Sequence, residues 1–205
     1  SYFLLEPLVI GARDFSGSVI LFSHERIEGL HKATIALSRE SLSSAALLKV
    51  LLKVKYKFQN EFVTADSGPE EMLKRYDAAL VIGDQALFYQ PKEFVYKHDL
   101  SEIWWDWTEK PFCFALWAVR REFAENRLEE ITGLVRSIQR TLEKNLVDLE
   151  GLMRDGLKMT FLDPRFSKVF GYLFNLSYGL DQPMQEGLEL FYRLAERLKI
   201  STRFR

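Results

Sequence analysis

The sequence predicts an α/β protein, with a mainly parallel sheet flanked by helices in its first half and a helical C-terminal region. Three observations carry this. Short strand-like apolar runs alternate with helix-period segments as far as "AALVI" at 78–82, the pattern of strands joined by crossover helices. Two of these strands end in serine- or glycine-containing turns that lead straight into a helix start, as parallel connections require. From Asn126 onward, apolar residues recur at three- and four-residue steps, the period of an amphipathic helix.

In order along the chain, "YFLLEPLVI" and "SVILFS" read as strands, and "ATIAL" at 33–37 as a third. "SSAALLKVLLKVKYKF" then places Leu47, Leu48, Leu51, Leu52 and Val54 on a broad helical face behind serines able to cap the first turn. "EFVT" at 61–64, the turn-like "DSGPEE" and "AALVI" repeat the scheme, ending at Gly83 and Asp84. "HDLSEIWWDWTEKPFCFALWAVRR" passes from a Trp-rich turn or helix through Pro111 into an apolar run, "FCFALWAV" at 112–119, that reads as a buried strand. Leu128, Ile131, Leu134, Val135, Ile138, Leu142, Leu146 and Leu149 define a long helix, followed by helices at about 164–177 and 182–198. Gly179 suits the end of the first of these, and Asp181 with Pro183 the start of the second.

Composition narrows the function classes. With 47% hydrophobic and 14% aromatic residues in 205, the chain can bury a real core. The 28 basic and 29 acidic residues give a net charge of -1 without long runs of either sign, so neither a nucleic-acid nor a membrane-surface footprint is expected. No apolar stretch approaches the roughly 20 residues that span a bilayer. One cysteine, Cys113, excludes an internal disulfide framework and agrees with a cytoplasmic location. His24, His31 and His98 are scattered without metal-ligand spacing and read as surface or loop residues. No nucleophile-elbow motif or phosphate-cradling glycine loop is present, which argues against hydrolase and kinase chemistry. Trp104, Trp105, Trp107 and Trp117 suit a ring-binding pocket or, more simply, a core.

Ligands of open α/β sheets bind beyond the carboxyl ends of strands, where helix N-termini offer free N–H groups to anions. Two places fit. Ser41, Ser43 and Ser44 stand at a helix start after "ATIAL", where they suit either a carboxylate or ordinary capping. Gly83 permits close approach of a ligand to the backbone, with Asp84 capping the next helix; a plain tight turn explains the pair equally well. Ser18, after "RDFSG", is by itself an ordinary strand-start serine.

Taken in order, "SGSVILFS", "SRESLSSAALLKVLL", "YDAALVIGDQALFY", "HDLSEIWWDWTEKPFCFALWA" and "YLFNLSYGLDQPMQEGLELFYRLAE" resemble the successive signatures of the chorismate dehydratase family of menaquinone biosynthesis, over about residues 8 to 198. The resemblance implies a type II periplasmic-binding-protein-like bilobal fold, with mixed sheets flanked by helices. Residues 1–24 would form the hinge and part of one lobe, 25–108 the second lobe, and 109–205 the return strand and C-terminal helices of the first. It implies a hydro-lyase that converts chorismate to 3-[(1-carboxyvinyl)oxy]benzoate and water in the futalosine route, with no cofactor and no metal. Ser18, Ser43, Ser44, Gly83 and Asp84 would bind substrate. No matched residue is an obvious general base, so a carboxylate of the substrate is the expected proton acceptor.

Three features depart from the family pattern. Asp14 and Phe15 replace a glycine-proline turn, "SLSS" replaces a serine-threonine-serine run, and a further N-terminal segment usual in the family does not precede Ser1. A non-catalytic binder of a small aromatic carboxylate, and an incomplete chain that needs another segment, therefore stand as alternatives; an oligomer is left open.

Overall fold

The structure, a computed structural model, describes residues 2–39 and 42–200, so Ser41 of the sequence-predicted site lies outside the described residues. Its strands are β1 (Tyr2–Ala12), β2 (Val19–Ser23), β3 (Thr34–Ser38), β4 (Glu61–Ala65), β5 (Ala78–Ile82), β6 (Tyr96–Asp99), β7 (Phe112–Arg120) and β8 (Leu176–Gly179). Its helices are α1 (Leu42–Val50), α2 (Pro69–Leu73), α3 (Gly83–Phe88), α4 (Leu100–Thr108), α5 (Arg121–Ala124), α6 (Leu128–Val147), α7 (Leu149–Gly151), α8 (Phe166–Asn175) and α9 (Gln182–Arg197).

Five strands form one sheet in the order β4-β3-β5-β2-β6, and three form another in the order β7-β1-β8. The first sheet is mixed: β3 runs parallel to β4 and β5, while β2 is antiparallel to β5 and β6. In the second, β1 is antiparallel to both neighbours. The expectation of a mainly parallel sheet therefore holds only around β3. β2, which falls within the segment 1–24, pairs inside the five-stranded sheet and places the crossing between the sheets at 13–18.

Strand alternation explains how the five-stranded sheet is covered on both faces. Val19, Leu21, Ile35, Leu37, Ala78 and Leu80 share one core with Leu47 and Leu48 of α1, Trp104 of α4 and Phe191 of α9. Ile20, Phe22, Ala36, Ala79 and Val81, the residues in between, pack instead with Met72 and Leu73 of α2 and Ala86 of α3. Helix α1 continues through Leu51–Lys55 with a widened turn, in which the Tyr56 N–H reaches the Leu51 carbonyl at 3.1 Å, and it stops at Lys57, whose φ is 59°.

An aromatic triangle joins the two sheets at the second crossing. Trp104, Phe112 and Phe191 lie edge to face, with ring centroids 5.6, 6.3 and 5.0 Å apart. Gly187 lets α9 lie against this crossing, because a Cβ there would overlap the Pro111 carbonyl oxygen.

The C-terminal half departs from the sequence reading in three places. Gly179 ends a strand, β8, rather than a helix. β7 is buried only at its start, and Ala115 and Trp117 on one face and Ala118 on the other are exposed. Only Ile131 of α6 is buried, so much of its apolar stripe, including Leu128, Leu134 and Leu146, faces outward.

His98 is also no loop residue; it sits half-buried in β6. The Ser23 hydroxyl donates to the Glu25 carbonyl at 2.6 Å, so at 3.1 Å it accepts from His98 Nε2, which fixes the proton on that nitrogen. Burial lowers the imidazole pKa, partly offset by the Glu25 backbone and the Glu28 carboxylate. The unfolded chain therefore binds the proton more readily. Stability is full above about pH 6.5, the unfolded value, and falls as acid is added toward the lower folded value. Urea titrations at pH 7.5 and 5.5 should show this loss, and it should shrink in His98→Gln. Gly187→Ala is expected to cost about 1–3 kcal/mol in the same assay through overpacking against Pro111.

Candidate functional site

The connections from β3 and β5 diverge. From β3 the chain passes through α1, on one face of the sheet, to β4 on one side; from β5 it passes through α3, on the other face, to β6 on the far side. The gap where neighbouring connections part is a switch point, and in open α/β sheets the expected ligand crevice lies there. Because β2 is antiparallel to β5, its start lies at this same edge. Val19 pairs with Ile82, and the Gly83 N–H donates to the Ser18 carbonyl at 2.8 Å.

The predicted residues sort accordingly. Ser18 and Gly83 are brought together. Ser18 is 6% exposed, and its hydroxyl has no hydrogen-bond partner among the described residues. Gly83 has φ of 62° and nothing within 4 Å of where a Cβ would stand, so its backbone is open to approach and a side chain there would be strained. Ser43, half-buried, and Ser44, buried, occupy the first turn of α1, which follows β3 at the crevice edge. Asp84 does not cap α3: the capping position is Ile82, without a side-chain bond, and Asp84 is exposed in the first turn.

Asp99, which sequence reasoning missed, organises the crossing beside Ser18. It is 2% exposed. Its Oδ2 accepts the backbone N–H groups of Ser16 and Gly17, at 3.1 and 2.7 Å, and the Ser16 hydroxyl at 2.9 Å. Its Oδ1 caps α4 by accepting the N–H groups of Ser101 and Glu102, at 2.8 and 3.4 Å. The Ser16 hydroxyl oxygen in turn accepts the N–H groups of Ser18 and Val19, at 3.4 and 3.2 Å. Burial raises the Asp99 pKa, and the hydrogen bonds from Gly17, Ser16, Ser101 and Glu102 pull against it. The signal was available in "DLSE", an acid at a helix start with glutamate three residues on.

The groups usually recruited for acid-base or nucleophilic work lie elsewhere. His24 bonds the Leu73 carbonyl at 2.7 Å and His31 lies against Phe58, both toward the opposite end of the sheet from Ser18, and the ring of His98, next to Asp99 in β6, is turned to Ser23 at that end. Burial in the three-stranded sheet pushes the Cys113 thiol up to about 11, so it stays protonated at neutral pH. Burial likewise pushes the Tyr178 hydroxyl up to about 12. No cluster of three metal-ligating side chains exists among the described residues, and no described helix is long and apolar enough to cross a membrane.

A shallow depression of about 440 Å³ on the three-stranded sheet is lined by Arg13, Ser177, Tyr178, Gly179 and Asp181 among others. Arg13 is already paired there with Asp181 at 2.6 Å. Arg165, just before α8, is held charged first by its two-pronged pair with Asp163.

These features define an α/β fold of two sheets flanked by helices, with a candidate site at a switch point. The sequence pattern of the protein family described as "Menaquinone biosynthesis" matches residues 1–197. The chain belongs to that family. A chorismate dehydratase from Thermus thermophilus is 31% identical over 185 residues, covering 78% of this chain and 62% of the relative; the chain thus spans less than two thirds of that relative's length. The crystal structure of protein AF1704 from Archaeoglobus fulgidus superposes with a TM-score of 0.72 at 18% identity, over 98% of this chain and 74% of the other. The architecture of sheets flanked by helices is common to both, as the periplasmic-binding-protein-like expectation requires.

Cys113 should react slowly with a thiol reagent at pH 7.5 in the native protein and fast once unfolded. Rapid native labelling would show that β7 opens readily.

Proposed function

We propose that this protein is a chorismate dehydratase, working in the cytoplasm without cofactor or metal. The observation that carries this is the match to the menaquinone-biosynthesis family over residues 1–197, supported by the relative that bears that name. The crevice adds a chemical fit: the first turn of α1 offers N–H groups and serine hydroxyls suited to a carboxylate.

In the reaction, the ring C–H beside the hydroxyl-bearing carbon breaks. Its electrons form the last ring double bond, hydroxide leaves, and the product is an enolpyruvyl benzoate and water. Aromatisation drives the step. Ser43 and Ser44 with the α1 amides would hold one carboxylate, the Ser18 hydroxyl a substrate oxygen, and the Gly83 backbone the ring edge, with Asp84 at the rim. With the histidine rings engaged by Leu73, Ser23 and Phe58, a carboxylate of the substrate would take the proton. Closure of a lobe formed by about 25–108 on one formed by 1–24 and 109–205, with β2 carried by the first, would exclude water.

One observation favours a second reading, in which the chain acts only in assembly with further polypeptide. Tyr2, Phe3 and Leu4 of β1 and Trp117 of β7 are exposed, and apolar sheet surface of this kind docks other chains. Specific activity that climbs with protein concentration would support it, and concentration-independent activity would remove it.

Purified protein incubated with chorismate and followed by chromatography should consume substrate and form 3-[(1-carboxyvinyl)oxy]benzoate. Binding without conversion would make it a carboxylate-binding protein instead. Ser18→Ala should lower kcat/KM about 10-fold, as loss of one hydrogen bond to a charged oxygen predicts. Gly83→Val should lower it further, while costing about 1–2 kcal/mol of stability from the left-handed backbone.

A further inference from the structure

The two carboxylate oxygens of Asp99 do separate jobs. Oδ1 caps α4, as an aspartate at a helix start ordinarily does. Oδ2 contributes nothing to the helix: it gathers the Ser16 and Gly17 N–H groups and the Ser16 hydroxyl, 82 and 83 residues away in sequence. Gly17 adopts φ of 68° to present its N–H. Through the Ser16 hydroxyl the same knot holds the backbone of Ser18 and Val19, and the Ser18 carbonyl holds the Gly83 N–H. A chain of hydrogen bonds therefore runs from one buried carboxylate to both backbone positions at the crevice.

We propose that Asp99 is the positioning residue of this site, acting through the Ser16–Gly17 turn to set where the Ser18 hydroxyl and the Gly83 backbone meet substrate. This rests on the dehydratase reading for its kinetic consequence, but not for its structural one. Asp99 touches no reacting atom; moving the turn moves the site.

Three variants separate the jobs. Asp99→Ser keeps a cap for α4 but is too short to reach Gly17. Asp99→Asn keeps the shape but turns one oxygen into a donor facing donors. Ser16→Ala leaves the carboxylate and the cap in place and removes only the relay, so it serves if the other two fail to fold. Met153→Ala, in a separate core of the C-terminal region, is a control for general destabilisation.

Amide exchange read by NMR needs no substrate. The Gly83 and Val19 amides should exchange at least 10-fold faster in Asp99→Ser and Ser16→Ala, with Trp104 and Trp105 in α4 still protected; unchanged exchange at Gly83 would overturn the proposal whatever the enzyme does. With chorismate, Asp99→Ser and Ser16→Ala should raise KM or lower kcat/KM about 10-fold, and the added loss in a Ser18→Ala background should be clearly smaller, the part that remains acting through Gly83. Losses that multiply with Ser18→Ala, or a lowered melting temperature with KM unchanged as in Met153→Ala, would mean a structural cap only. Wild-type protein inactive on chorismate would sink the dehydratase reading and leave the exchange result to decide the positioning role.

Discussion

The chain leaves one sheet and enters the other through a short crossing, Arg13 to Ser18, and a single buried carboxylate holds that crossing in shape. A buried charge is costly unless its lone pairs are filled, and Asp99 fills them with four N–H groups and a hydroxyl. Helix α4 and β2 are thereby tied to the turn between the sheets. Where β2 begins decides where Ser18 stands, and where Ser18 stands decides which backbone group Gly83 can bond. The aromatic triangle of Trp104, Phe112 and Phe191 braces the second crossing from within the main core, so one crossing is held by polar bonds and the other by packing.

The switch point follows from topology once that constraint is met. Strand β3 sends its connection across one face and β5 across the other, so the starts of α1 and α3 flank the gap between them. The antiparallel β2 then adds the crossing itself to the same edge. Alternation in β2, β3 and β5 is strict enough that neighbouring residues belong to different cores, Leu21 to one and Phe22 to the other. A slip by one residue would exchange those faces, so the register that sets the backbone groups at this edge is strongly specified.

Much of this was legible in the sequence, and the failures have common causes. Short apolar runs located β2, β3, β4 and β5, and the glycine after β5 does adopt a positive φ with open space beside it. Sequence reading could not tell that β2 would join the later strands, because pairing depends on contacts distant along the chain. It took β7 as buried since apolar composition measures what a strand offers and not whether a helix covers it. It read Gly179 as a helix end because a short strand after a helix uses the same residue. His98 was misplaced in a loop and Asp99 missed for a related reason: both owe their roles to partners 75 and 83 residues away, and only the local half of the Asp99 pattern, the cap of α4, is written nearby.

The placement of titratable groups bears on the chemistry. Among the described side chains at the crevice edge, Ser18, Ser43, Ser44, the exposed Asp84 and the Arg39–Asp66 ion pair just past β3 and β4, none gives an imidazole or a thiolate. The histidines bond or pack toward the opposite end of the sheet, the only thiol is pushed up to about 11, and Tyr178 to about 12. A reaction demanding a strong protein base would be poorly served. An elimination that gains aromaticity demands less: a nearby carboxylate, even the substrate's own, suffices if the ring is held with the breaking C–H in its reach. Donors fixed before substrate arrives then matter more than any single proton carrier, and fixed donors are what a turn locked by Asp99 supplies.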